Sequence, residues 1–175
     1  MDVLKKYKIS FSGLALGHHR FDFRIDDKFF ERFENSRIKK ADVALKVDML
    51  KQENMLQLEF GFHGYVMVTC DRCLGEYAHA VAFNEVLMVK FGSHGLQEAE
   101  DVLVINANDY ELSIAQHIYE YISLSLPMQL IHPSNEDGSS GCDSRFLENF
   151  EVQIEEDEIK NMDPRWDALK KLIKE

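Results

Sequence analysis

A chain of 175 residues that is 45% apolar fits one domain with a real core and excludes disorder throughout. A net charge of −11 disfavours tight, salt-driven binding to naked RNA or DNA, because phosphate contacts need clustered Lys and Arg. No apolar run approaches the roughly 20 residues that cross a bilayer, Met1-Asp2-Val3-Leu4-Lys5-Lys6 lacks a secretory pattern, and three cysteines make no disulfide framework, so a reducing, cytoplasmic location is expected.

The charge is unevenly spread. Residues 1–51 carry 12 Lys/Arg against 8 Asp/Glu, a net of +4. Residues 52–132 carry 2 against 11, a net of −9, and residues 133–175 carry 6 against 12, a net of −6. The first third can therefore present a basic face built from Lys5, Lys6, Lys8, Arg37, Lys39 and Lys40, or these residues simply form a solvated surface. The acidic remainder fits a protein that meets basic partners or stays soluble.

The first two thirds read mostly as strands. Asp26 and Asp27 first open a short helix with Phe29, Phe30 and Phe33 on one side, acidic residues in the first turn suiting the helix dipole. Val43, Leu45, Val47 and Met49 then alternate with Lys46 and Asp48. Leu56, Leu58, Phe60 and Phe62 alternate with Gln57 and Glu59. Period-two alternation gives one buried and one wet face, as in an antiparallel sheet. Lys51-Gln52-Glu53-Asn54 is the polar hairpin turn between them, and His63-Gly64 reads as the next turn. Extended residues 65–69, a long apolar-rich run from Val81 to Phe91 and a short strand from Val102 to Ile105 follow.

The clearest helix starts at Ser113-x-x-Gln116, which resembles a capping box, and carries Ala115, Ile118, Tyr119, Ile122 and Leu126 at helical spacing until Pro127 stops it. A last helix is predicted over 163–174, with Asp163 as N-cap, Pro164 at the first position and an apolar stripe of Trp166, Leu169, Leu172 and Ile173. Residues 133–162 between them, rich in Gly, Ser and acidic residues, are expected to be a flexible loop. Strands first and helices late predict a single α+β domain, 1–175, built on a largely antiparallel sheet.

The chemistry-bearing feature is Cys70-Asp71-Arg72-Cys73. Two cysteines three apart suit half of a tetrahedral zinc site or a redox pair, and they also occur as inert thiols. A thioredoxin-like pair opens a helix inside a βαβ unit, whereas here a strand pattern follows. Zinc needs two more ligands, and His132 and Cys142, at the two ends of the Gly/Ser-rich stretch, would complete a closed Cys3His set. His18-His19 is a poor clamp, since neighbours on a strand point to opposite faces. Glu111 and Glu120 read as solvated. Arg72, Arg165 and Trp166 join the basic residues as candidate partner contacts, although a tryptophan so placed is more often a core anchor than a binding hot spot. There is no P-loop, G-x-G-x-x-G, H-E-x-x-H or G-x-S-x-G.

Taken in order, Cys70-Asp71-Arg72-Cys73-Leu74, Glu111-Leu112, Glu120, Leu124-Ser125-Leu126-Pro127 and Asp163-Pro164-Arg165-Trp166 with Leu169 and Leu172 resemble the YceD-like family, the large ribosomal RNA subunit accumulation proteins. The likeness covers residues 60–175 well and the first third loosely. It implies a non-enzymatic accessory role in large-subunit assembly, with ribosomal RNA, a basic ribosomal protein or a precursor particle as partner and no small-molecule substrate. Many members carry a second cysteine cluster after the Leu-Pro element, where this chain has His132 and then Cys142. The alternative class is a thiol redox or zinc-dependent enzyme using the Cys70–Cys73 pair.

Overall fold

A computed structural model describes residues 3–34, 36–92, 102–106, 108–135 and 137–148. The predicted helix over 163–174, with Arg165 and Trp166, lies outside the described residues, as does the 149–162 part of the predicted loop.

A 3-10 turn at Val3–Lys6 leads into β1 (Lys8–Ser10) and β2 (Gly17–Asp26), followed by α1 (Asp27–Phe30). Then come β3 (Lys40–Lys51), β4 (Met55–Thr69), β5 (Glu76–Phe91), β6 (Val102–Ile105), β7 (Glu111–Ser113), α2 (Ala115–Ser125) and α3 (Ser144–Glu148). The main sheet has the order β2-β3-β4-β5-β6. Its pairings are antiparallel except β5 with β6, which run parallel. A second sheet pairs β1 with β7. The mixed α+β class and mainly antiparallel sheet expected from the alternation are therefore observed.

The alternation does its work on one face. Val43, Leu45, Val47 and Met49 of β3 and Leu56, Leu58, Phe60 and Phe62 of β4 are all buried. Onto them α2 lays Ile118 and Ile122, both fully buried, while Tyr121 sets its ring edge-on to Phe60 at 5.5 Å. Each fully buried isoleucine contributes about 1.5–3 kcal/mol relative to exposure. The opposite face carries Arg20–Asp48 and Arg24–Asp42 ion pairs between β2 and β3. Exposed pairs of this kind contribute about 0–1 kcal/mol each, so the apolar face decides which side α2 covers. Phe29 and Phe30 of α1 are buried, Phe29 meeting Tyr7 edge-on, and Phe33 stacks on Tyr119 with centroids 4.0 Å apart.

Two local expectations change. His63-Gly64 is not a turn, because β4 continues through it to Thr69. Gly64 has φ +155, and a Cβ there would collide with the Asp42 carbonyl of β3. The glycine allows close strand approach rather than reversal. Ser113 does not cap α2, because it is spent in β7 opposite Lys8. Gln116 donates to Glu120 instead, at 2.8 Å, and the Ile114 N–H donates to the Tyr7 carbonyl at 3.0 Å.

Gly64→Ala combines a disallowed φ with a backbone collision, so it should destabilise the protein by about 1–3 kcal/mol or more. A lowered denaturation midpoint checks this; an unchanged midpoint would contradict the strand placement.

Candidate metal centre

The connection from β4 to β5 is short and tightly bonded. The Cys70 N–H donates to the Gly75 carbonyl at 2.8 Å, and the Leu74 N–H donates to the Cys70 carbonyl at 3.0 Å. Leu74 has φ 59 and is the only non-glycine residue of positive φ among the described residues. A branched residue held there is strained by order 1–3 kcal/mol, so something must over-determine the turn. The Arg72 N–H reaches back to the Cys70 sulfur at 3.4 Å. The pair thus closes a hairpin between antiparallel strands and does not open a helix, which removes the context a thioredoxin-like pair needs.

Asp71 ties this turn to a distant segment. Its N–H donates to the Leu130 carbonyl at 2.6 Å, and its Oδ2 accepts the Leu130 N–H at 2.7 Å. Its Oδ1 accepts from the Arg37 guanidinium at 2.7 Å. Two residues beyond Leu130 stands His132, half-buried, its ring 4.8 Å from that of Tyr77 on β5. The Asn135 N–H donates to the Ser139 carbonyl at 2.9 Å, and the chain returns with Cys142, whose N–H donates to Ser140 Oγ at 3.2 Å. Gly141 is needed here because a Cβ would strike the Pro133 carbonyl, and one on Gly75 would sit 3.3 Å from His132 Cε1.

These restraints bring Cys70, Cys73, His132 and Cys142 together, with all four donor atoms within 4.8 Å of one another. Cys70 Sγ and Cys142 Sγ are 3.8 Å apart, and Cys73 Sγ is 3.3 Å from His132 Nδ1. Tetrahedral metal–sulfur and metal–nitrogen bonds of about 2.3 and 2.1 Å place neighbouring donors about 3.5–3.8 Å apart. The residues therefore fit a four-coordinate cation. All three sulfurs are buried and none is in a disulfide.

The electrostatics favour cation binding. Burial pushes the Cys70 thiol up, but N–H groups of Cys73, Arg72 and His132 and the His132 side chain outweigh it and bring the group down to about 6. Cys142 has a hydrogen bond with Ser140 that lowers it, yet burial and the neighbouring sulfurs of Cys70 and Cys73 leave it raised. Burial and then the charges of Cys70, Asp71 and Cys142 likewise raise the Tyr77 hydroxyl. One thiolate forms readily and the next resists, a repulsion that a divalent cation would reverse.

The remaining sequence candidates separate in space. Arg37 is bonded to the turn through Asp71, Arg72 lies in it, and Lys40 pairs across from Met67, three residues before it. Lys39 adjoins Lys40, and all four side chains are exposed. Lys5 and Lys6 lie on the first 3-10 turn, and Lys8 is ion-paired with Glu111. His18 and His19 sit side by side on β2. Asp71 was not singled out by its sequence. An acidic residue inside a C-x-x-C offers no local signal, because its partner is 59 residues away.

Comparison with known proteins gives the family. The family model described as large ribosomal RNA subunit accumulation protein YceD matches residues 58–173, more than half of the chain. The chain belongs to that family. It is also similar to the uncharacterized protein YlbN of Bacillus subtilis, at 26% identity over 141 residues, covering 79% of this chain and 77% of that one. No solved structure matches it. Among the described residues no helix is long and apolar enough to cross a membrane.

Two outcomes follow. In metal-free protein, thiolate ultraviolet absorbance should show a first transition near pH 6 from Cys70; since its pKa is depressed on folding, stability should rise as pH climbs from about 6 towards 9. A single transition in the ordinary thiol range would contradict this. Asp71→Ala, which leaves all four donors in place, should weaken affinity for added zinc by about 10–100-fold in a competition titration with a chelator.

Proposed function

We propose that this protein is a non-enzymatic accessory factor for accumulation of large-subunit ribosomal RNA, working in the cytoplasm and shaped by a structural zinc ion. The observation that carries the reading is family membership across 58–173, a span that contains the whole donor cluster.

Three thiols and an imidazole suit zinc better than magnesium or calcium, which prefer oxygen donors. Four protein donors fill a tetrahedral shell and leave no position for substrate, which is the pattern of a structural site. Zinc here would hold the 130–142 segment against the β4–β5 turn. The partner is ribosomal RNA or a basic ribosomal protein within a large-subunit precursor. The net charge of −11 supports a basic protein or an RNA–protein surface over naked RNA. The exposed Arg37, Lys39, Lys40 and Arg72 supply local phosphate contacts beside the turn.

The test is affinity capture of the tagged protein at low and high salt, with RNA and protein both identified. Large-subunit components should be recovered, and a deletion strain should lose large-subunit RNA selectively. Recovery of no ribosomal component, together with a normal ribosome profile in the deletion strain, would refute the reading.

A further inference from the structure

The donor cluster divides into two pairs. Cys73 Sγ lies 3.3 Å from His132 Nδ1, so this sulfur is engaged with an imidazole. Cys70 Sγ faces Cys142 Sγ across 3.8 Å, and both thiols are free. Sulfurs in a disulfide stand about 2.05 Å apart, so this pair needs to close by roughly 1.8 Å.

The two sides of that gap are unequal. Cys70 directly follows β4 inside the bonded turn, and the Arg72 N–H donates to its sulfur at 3.4 Å. Cys142 stands on a stretch with no helix or strand between Ser125 and Ser144, flanked by exposed Ser140 and Asp143. Its residue is also the least buried of the three cysteines, at 8% exposure against 4% for Cys73 and 0% for Cys70. A small oxidant therefore meets Cys142 first, and the unstructured side supplies the closing movement. Joining Cys70 to Cys73 instead would close only the turn and would break the contact with His132.

We propose that Cys70 and Cys142 form a reversible disulfide in response to hydrogen peroxide, a bond that takes over from the zinc ion in tying residues 130–142 to the β4–β5 turn. The displaced ion belongs to the zinc reading above, on which this regulation rests, whereas the sulfur pairing stands on geometry alone. The Cys142 thiolate attacks one peroxide oxygen: an S–O bond forms, the O–O bond breaks and hydroxide leaves. The Cys70 thiolate then attacks the Cys142 sulfur: the S–S bond forms, the S–O bond breaks and a second hydroxide leaves. Two thiolates and one peroxide thus give one disulfide and two hydroxides, each sulfur losing one electron. Cys73 and His132 are left as two donors, too few for a closed four-donor shell, so the ion departs. The new bond links positions 72 residues apart, so it restrains the unfolded chain. A dithiol restores both thiolates by exchange, and in a reducing compartment such a bond is transient and suits sensing.

The test treats full-length, zinc-loaded protein with hydrogen peroxide in small excess, and reads a zinc chromophore, thiol titration and mass-spectrometric peptide mapping together. Zinc should be released in step with the loss of two of the three thiols. Mapping should find Cys70 joined to Cys142 within one chain, and dithiothreitol with added zinc should restore the starting state. Metal-free protein should give the same cross-link; forming it in a protein that never binds zinc would support the pairing and refute the zinc reading. Oxidised metal-free protein should melt at a higher temperature than reduced metal-free protein. In metal-free Cys73→Ser the cross-link should persist, and in Cys142→Ser it should be abolished. Three results on the unmodified sequence would overturn the proposal: a cross-link mainly between Cys70 and Cys73, disulfides mainly between chains, or zinc release with no disulfide formed.

Discussion

The two-way bond between Asp71 and Leu130 is the constraint on which the site depends. Backbone donates to backbone in one direction, and backbone to carboxylate in the other, with Arg37 holding the second carboxylate oxygen. A neutral bond of this kind contributes about 0.5–1.5 kcal/mol net, and one to a charged group about 1.5–3. That is enough to set the register of two segments but not to hold them. Closing a loop of some 60 residues costs about 4 kcal/mol of chain entropy by the logarithmic law, before any side chain is ordered. A bound zinc ion, contributing about 10–16 kcal/mol in small zinc-folded peptides, exceeds that cost comfortably. Asp71 aims the segments, and the proposed ion would lock them.

The sheet supplies the rigid half of this arrangement. β4 and β5 are paired over fifteen positions, from Met55–Lys90 to Thr69–Glu76, so the cysteine turn is the end of a long, well-registered hairpin. The 130–142 side has much less. It is extended, turn-like and polar, and its inward contacts are Leu130, His132 and Cys142. Strain at Leu74 sits where these halves meet, as expected where surrounding structure over-determines a turn. The same junction carries exposed Arg72 and, bonded to Asp71, exposed Arg37.

Much of this was legible in the residues. The alternation along 43–49 and 56–62 gave the face of the sheet correctly because burial on one side enforces period two. C-x-x-C, a histidine and a late cysteine named all four donors that the fold brings together. What escaped was governed by long-range pairing. Gly64 looked like a turn because glycine usually punctuates, and only the neighbouring Asp42 carbonyl explains it. Ser113 looked like a cap because the competing claim on it, from Lys8, lies 105 residues earlier. Three-residue strands such as β1 and β7 are too short to show any period. Asp71 was hidden for the same reason, its partners Arg37 and Leu130 being distant in sequence.

The central claim is that Cys70, Cys73, His132 and Cys142 together enclose one zinc ion. X-ray absorption at the zinc edge, on protein purified without chelator, tests it most directly. The account predicts a first shell of three sulfurs at about 2.3 Å and one nitrogen at about 2.0–2.1 Å, with no oxygen. In Cys142→Ser the sulfur count should fall by one. A first shell of nitrogen and oxygen donors, or one unchanged in Cys142→Ser, would contradict it.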